Sequence, residues 1–298
     1  MYLTGFADEA STSLEGQIKA TQELGWNHIE SRCIDGVNLH DISDEQFEEV
    51  YKNLSEANIQ INCFGAAIAN WGKQITDGPK LSLEESKRAI PRMKKLGSKY
   101  IRIMSFAILK DKEPKDQMLD ERVNYLSDII KLFTDEGLTP VHENCSNFGG
   151  MGWEQTLELV DRLPGLRLVY DTGNPVFNLD YTKPEPRPMQ SSWEFYKNVK
   201  QHIEYVHIKD GIFDQEKEST KFTFAGEGDG DVKAIVKDLL DNGYDGGFSM
   251  EPHLAVVFHD DSVKAEESVK YENYVEFGKR FMDLLEEVGH GDKVTCAK

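Results

Sequence analysis

Tyr205-Val206-His207-Ile208-Lys209-Asp210 is a short apolar, β-branched run that ends in charge. Three other runs share its design: Thr139-Pro140-Val141-His142-Glu143-Asn144, Leu168-Val169-Tyr170-Asp171-Thr172-Gly173-Asn174 and Phe248-Ser249-Met250-Glu251-Pro252-His253. Runs of this length and composition read as β-strands. Strands without alternation are buried on both faces, as in a parallel sheet, so a charge at the end of one must be paired, solvated or bound to a metal.

Outward from these four, the same beat covers the chain. Strands are predicted at 2–6, 28–33, 59–64, 100–105, 139–143, 166–171, 203–208 and 247–251, each followed by a loop and a charged segment of helical period. Ser13-Leu14-Glu15 opens one helix, Ser43-Asp44-Glu45-Gln46 is a capping-box pattern before Phe47 and Val50, and Gly97 and Gly137 close two more. Pro91 is expected to kink or break the third helix. The Pro-rich stretch 183–188 follows the sixth strand and reads as an active-site loop, because the beat resumes at Ser192. An open doubly wound sheet would alternate in the same way, but Gly5 stands alone after the first strand with no G-x-G-x-x-G. Eight beats predict an α/β fold, a (β/α)8 TIM barrel, with residues 1–298 forming one domain.

Glu143, Asp171, His207 and Glu251 all fall at strand carboxyl ends, where barrel enzymes do their chemistry. Adjacent strands lie about 4.8 Å apart, so side chains from strands five to eight can converge on one ion. Three carboxylates and an imidazole form a mostly hard ligand set that suits Mn²⁺, Mg²⁺ or Co²⁺ better than a structural zinc. Each residue also has a plainer reading. Asp171 could cap a helix, Glu251 could pair with Arg32 or Arg102, and His207 could be a satisfied core histidine. Four such coincidences at consecutive strand ends favour the metal.

Bulk properties narrow the partners. The chain of 298 residues has 34 basic and 53 acidic residues, a formal net charge of -19. Such a surface repels phosphate backbones and anionic membranes, so neither nucleic acid nor membrane is expected as a partner. Cys33, Cys63, Cys145 and Cys296 form no C-x-x-C pair and read as reduced thiols. The first residues lack a basic and apolar leader, and no stretch approaches about 18 apolar residues, which predicts a cytoplasmic location. A homo-oligomer is left open.

The residues resemble the xylose isomerase-like barrel superfamily, in particular the sugar-phosphate isomerase/epimerase group with its ketose 3-epimerases and inosose dehydratases. The resemblance runs along essentially the whole chain, and its specific motifs lie in the last four strands, with His-Ile-Lys-Asp at 207–210 and Gly-Glu-Gly at 226–228. It implies that Glu143, Asp171, His207 and Glu251 bind one divalent metal, manganese first, with Mg, Co or Zn as alternatives. It also implies a carbohydrate substrate, isomerised or epimerised through an enediolate with Glu143 and Glu251 as acid/base pair.

Two positions depart from that pattern: Asn174 stands where many members have histidine, and Phe213 where the epimerases place arginine. Lys209 shares the face of His207 and could supply the missing donor. Asn174, Arg32, Arg102 and His253 are further candidates for contact with substrate, and Glu30, Asp8, Glu9, Trp71 and Trp153 are weaker ones at earlier strand ends and loops. Glu30, Arg32 and Arg102 read equally well as ordinary salt bridges. The glycines of 226–231 could cradle a phosphate, but three acidic side chains among them favour a plain turn and a non-phosphorylated substrate. The alternatives are an inosose-type dehydratase on the same metal site, an apurinic-site endonuclease, and a non-catalytic sugar-binding barrel.

Overall fold

The computed structural model describes residues 1–257 and 260–293. Eight parallel strands form one sheet: β1 (Tyr2–Gly5), β2 (His28–Ser31), β3 (Gln60–Ile68), β4 (Tyr100–Ile103), β5 (Thr139–Glu143), β6 (Arg167–Asp171), β7 (Ile203–Ile208) and β8 (Gly247–Met250). They hydrogen-bond in the order β1-β8-β7-β6-β5-β4-β3-β2. A parallel bridge between Phe6 and Glu30 brings β1 back towards β2, so the sheet curls into the expected (β/α)8 barrel.

Alternation along the strands sorts the side chains into two layers. Cys63, Val141, Val169 and Tyr205 pack inside the barrel, with Tyr2 and Tyr100 against them. Leu3, Ile29, Ile101, Leu168, Val206 and Phe248 face outward and meet helix residues such as Phe47, Leu126 and Val236. The interior is therefore largely a packed core, with Thr4, Asn62 and the Tyr205 hydroxyl linked by hydrogen bonds within it, and the charged side chains of the cluster gather above it, at the carboxyl ends.

Local signals set the helices. Ser13 accepts a hydrogen bond from Gly16 N at the start of α1 (Leu14–Glu23), and Ser43 with Gln46 completes a capping box at α2 (Asp44–Ala57). The expected break at Pro91 does not occur: α3 runs through it from Lys80–Leu96 and stops at Gly97, φ 71°. Pro91 lies on the exposed face, where water can take the carbonyl it leaves without a donor.

The largest strand difference is β3, which continues past Phe64 to Ile68 with a register shift against β4. Gly65 permits this: a Cβ there would sit 2.3 Å from the Phe6 ring. Among the described residues, no helix is long and apolar enough to cross a membrane.

Candidate metal centre

Glu143 ends β5, Asp171 ends β6, His207 is the penultimate position of β7, and Glu251 follows β8 directly. In register, Asp171 and Ser249 both pair with His207, which sets the four ends side by side. Each residue offers one ligand atom, and these atoms all lie within 4.8 Å of one another. All four side chains are buried.

Asp171 divides its work between two oxygens. Oδ1 accepts from Gly173 N at 2.8 Å and Asn174 N at 2.7 Å, capping the turn into the short helix Asn174–Phe177. Oδ2 lies 2.9 Å from Lys209 Nζ yet accepts no well-directed hydrogen bond. A buried carboxylate oxygen left in this way favours a cation. With two glutamates and an imidazole beside it, this hard donor set fits a divalent metal ion.

A ring of counter-charges surrounds the four. Arg102 Nη1 donates to Glu143 Oε2 at 3.0 Å and Asn174 Nδ2 to Glu143 Oε1 at 3.2 Å. Lys209 Nζ bridges Asp171 and Glu251 Oε2, the latter at 2.8 Å, and Arg32 Nη1 donates to Glu251 Oε1 at 3.2 Å. The rest of the Arg32 guanidinium is held by Asp8 and Glu9. His253 donates its backbone N–H to Glu9 Oε2, its Nδ1 stands 2.9 Å from Glu9 Oε1, and its Nε2 stands 3.6 Å from Glu251 Oε1. His207 Nδ1 faces Glu143 Oε1 at 3.4 Å, while its Nε2 lies 3.0 and 3.2 Å from the two oxygens of Glu30.

These contacts set the protonation states. Burial would raise the Glu143 carboxyl, but Arg102 and His207 outweigh it and bring it down to about 2. Glu251 is likewise held well below the usual carboxylate range: burial opposes ionisation, and Lys209, His253 and Arg32 overcome it. Asp171 goes the other way, to about 6, because burial and the neighbouring Glu251 and Glu143 outweigh Lys209. Burial works against a charged His207, yet Glu30 and Glu143 raise it to about 10.

A cavity of about 380 Å³ opens above the cluster. Glu143 and Glu251 line it, and Asp171 and His207 stand behind them. Lys209, Asn174, Arg32, Arg102 and His253 also line it, with the indole of Trp71 at the rim, 44% exposed. Two expectations are corrected. Trp153 begins the helix Trp153–Arg162 and does not reach the cavity. The 183–188 stretch lines no part of it either; Arg187 there is tied to Glu113 and Glu185 and packs over Tyr181. Arg32 and Arg102 do form the salt bridges considered for them, Arg32 with Glu251 and Arg102 with Glu143, and both also line the cavity.

Sequence reasoning left Glu30 and Asp210 underread. Glu30 is fully buried beneath His207; the only available signal was its shared face with Arg32 on β2. Asp210 accepts from the backbone N of Gly211, Gly226, Gly228 and Gly230. The N–H groups that might have cradled a phosphate are thus taken by an internal carboxylate.

A parallel eight-stranded barrel with a carboxylate–imidazole cluster at the ends of β5 to β8 defines a class of proteins. The family model described as xylose isomerase-like TIM barrel matches residues 18–291, and the chain belongs to that family. Solved structures agree on the fold. A D-tagatose 3-epimerase-like protein superposes with TM-score 0.70 at 18% identity, covering 97% of this chain and 98% of its own. The IOLI protein with a binding zinc atom gives 0.70 at 17%, over 97% and 99%. A xylose isomerase-like TIM barrel protein from Mycobacterium smegmatis in complex with magnesium gives 0.66 at 17%, over 95% and 97%. No curated protein matches this chain.

Proposed function

We propose that the protein is a divalent-metal-dependent isomerase or epimerase of an uncharged sugar or related keto-polyol, with Glu143 and Glu251 as the proton-transfer pair. The observation that carries this reading is the division within the cluster: only Glu143 and Glu251 face the cavity, while Asp171 and His207 lie behind them. Asp171 and His207 are thus placed to hold an ion, and the two glutamates to reach a substrate as well. The bound ion, Mn²⁺ by preference, would polarise the substrate carbonyl and stabilise an adjacent enediolate.

Glu143 and Glu251 reach the cavity from β5 and β8, so the ionised one can take the carbon-bound proton while the other, once protonated from solvent, delivers a proton to the opposite face. In the substrate-free cluster each is ionised beside its own cation, Arg102 for Glu143 and Lys209 with Arg32 for Glu251, so the delivering carboxyl takes up its proton during turnover. Lys209 is placed to donate to a substrate oxygen. Among the described residues, every lysine and arginine lining the cavity is already paired with a carboxylate, which supports an uncharged substrate. The cavity volume lies in the range of small-molecule sites.

A metal-dependent dehydratase would start from the same enediolate, and product analysis separates the two. Turnover in heavy water with a panel of ketoses and inososes tests the reading. Deuterium should enter the product at the reacting carbon, and Glu143→Gln or Glu251→Gln should each lower exchange by about 10²- to 10⁴-fold. Product formed without label would replace proton abstraction by hydride transfer.

A further inference from the structure

We propose that Glu30 is a positioning residue that holds the proton of His207 on Nε2, so that the ring meets the cluster through the lone pair of Nδ1. This rests on the metal reading above and assigns a role in it to a residue outside the four. An ionised carboxylate only accepts hydrogen bonds, and both Glu30 oxygens lie within 3.2 Å of Nε2. Nε2 is therefore the donor. The opposite nitrogen, Nδ1, points to Glu143, the side on which the other ligand atoms converge.

The carboxylate is itself fixed. Tyr205 Oη donates to Glu30 Oε2 at 2.9 Å, and Glu30 forms the Phe6 bridge that closes the barrel, at a register shift between Ile29 and Glu30. The imidazole plane is held edge-on against Phe6, with ring centroids 5.0 Å apart, and against Tyr205 at 5.7 Å. A buried carboxylate–imidazole pair gives little net stability over apolar packing. Its geometry instead meets the requirement for a metal-ligating histidine, whose second nitrogen donates to a carboxylate that sets tautomer and orientation.

The test uses Zn²⁺, which is diamagnetic, with the full chain. Calorimetry of metal-depleted protein should show Glu30→Gln binding Zn²⁺ about 10- to 100-fold more weakly than wild type. Long-range ¹H–¹⁵N spectra of the Zn²⁺-loaded wild type should place the His207 proton on Nε2, with that preference lost in Glu30→Gln. Glu30→Asp, which keeps the charge, should recover part of the affinity. If wild type binds Zn²⁺ and Glu30→Gln matches it in affinity and tautomer, the role of Glu30 is overturned while the metal reading stands. If wild type binds no Zn²⁺ or Mn²⁺, both fall. Should Glu30→Gln fail to fold, Tyr205→Phe loosens the carboxylate without removing its charge. A severalfold weaker affinity then supports the proposal, and unchanged affinity overturns it.

Discussion

The two halves of the barrel contribute opposite things to its mouth. Strands β5 to β8 carry the acidic and imidazole cluster of Glu143, Asp171, His207 and Glu251. Strands β2 and β4 and the residue directly after β2 carry the groups that hold it: Arg102 on Glu143, Arg32 on Glu251, and Glu30 on His207. Lys209 is the exception, a cation from β7's end set between Asp171 and Glu251. Carboxylates packed this closely carry strong mutual repulsion, and the facing half supplies the opposite charge that lets them stay ionised while buried.

Removing a counter-charge from the early half should have the largest effect on the fold. Arg102 is buried, with Glu143 as its ion partner and Gly65 and Ala66 carbonyls as acceptors. Arg102→Met leaves a buried carboxylate without its cation, and urea unfolding of the metal-depleted protein should show a loss of about 3–5 kcal/mol. A loss below about 1 kcal/mol would mean that the two halves are not coupled through this pair.

The pH dependence of metal binding sharpens the same comparison. His207 is raised from 6.5 to about 10 by Glu30 and Glu143, which outweigh its burial. Because the folded value lies above the unfolded one, this pairing stabilises the metal-depleted fold fully below about pH 6.5, and the contribution is lost as pH rises through about 10. A metal ion needs the ring neutral and must displace that proton. Apparent Mn²⁺ affinity should therefore rise about tenfold per pH unit between about pH 7 and 9. A flat calorimetric profile would detach His207 from the early-half carboxylate.

Asn174 offers the smallest effect. Its amide reaches Glu143 Oε1 at 3.2 Å from within the late half, where the resembling family often has histidine. Asn174→Ala should cost about 1 kcal/mol of transition-state stabilisation, roughly fivefold in turnover, with Mn²⁺ affinity unchanged. A loss like that of Glu143→Gln would make Asn174 a full partner in proton transfer.

The same division explains what could be read from the sequence. The late-half residues are legible because each charge interrupts an apolar run, and burial on both strand faces leaves such a charge few options. Glu30, Arg32 and Arg102 interrupt runs too, but their partners lie across the barrel: Glu30 and His207 are 177 positions apart, and Arg32 and Glu251 are 219 apart. Spacing along one strand does not select pairs of that separation: from sequence Arg32 is one of two partners open to Glu251, and none of the readings of His207 involves Glu30. The glycine turn at 226–231 was legible as a turn, while its true organiser, Asp210, sits across a hairpin from it. Of the kink or break expected at Pro91, the break does not occur: on an exposed face water can take the carbonyl that the proline leaves without a donor.

Titration of metal-depleted protein with Mn²⁺ by calorimetry tests the central claim most directly. One ion should bind per chain, with Asp171→Asn weakening it by at least about 100-fold while the variant keeps its helical and sheet content. Absence of binding to wild type, or binding indifferent to Asp171→Asn, would contradict it.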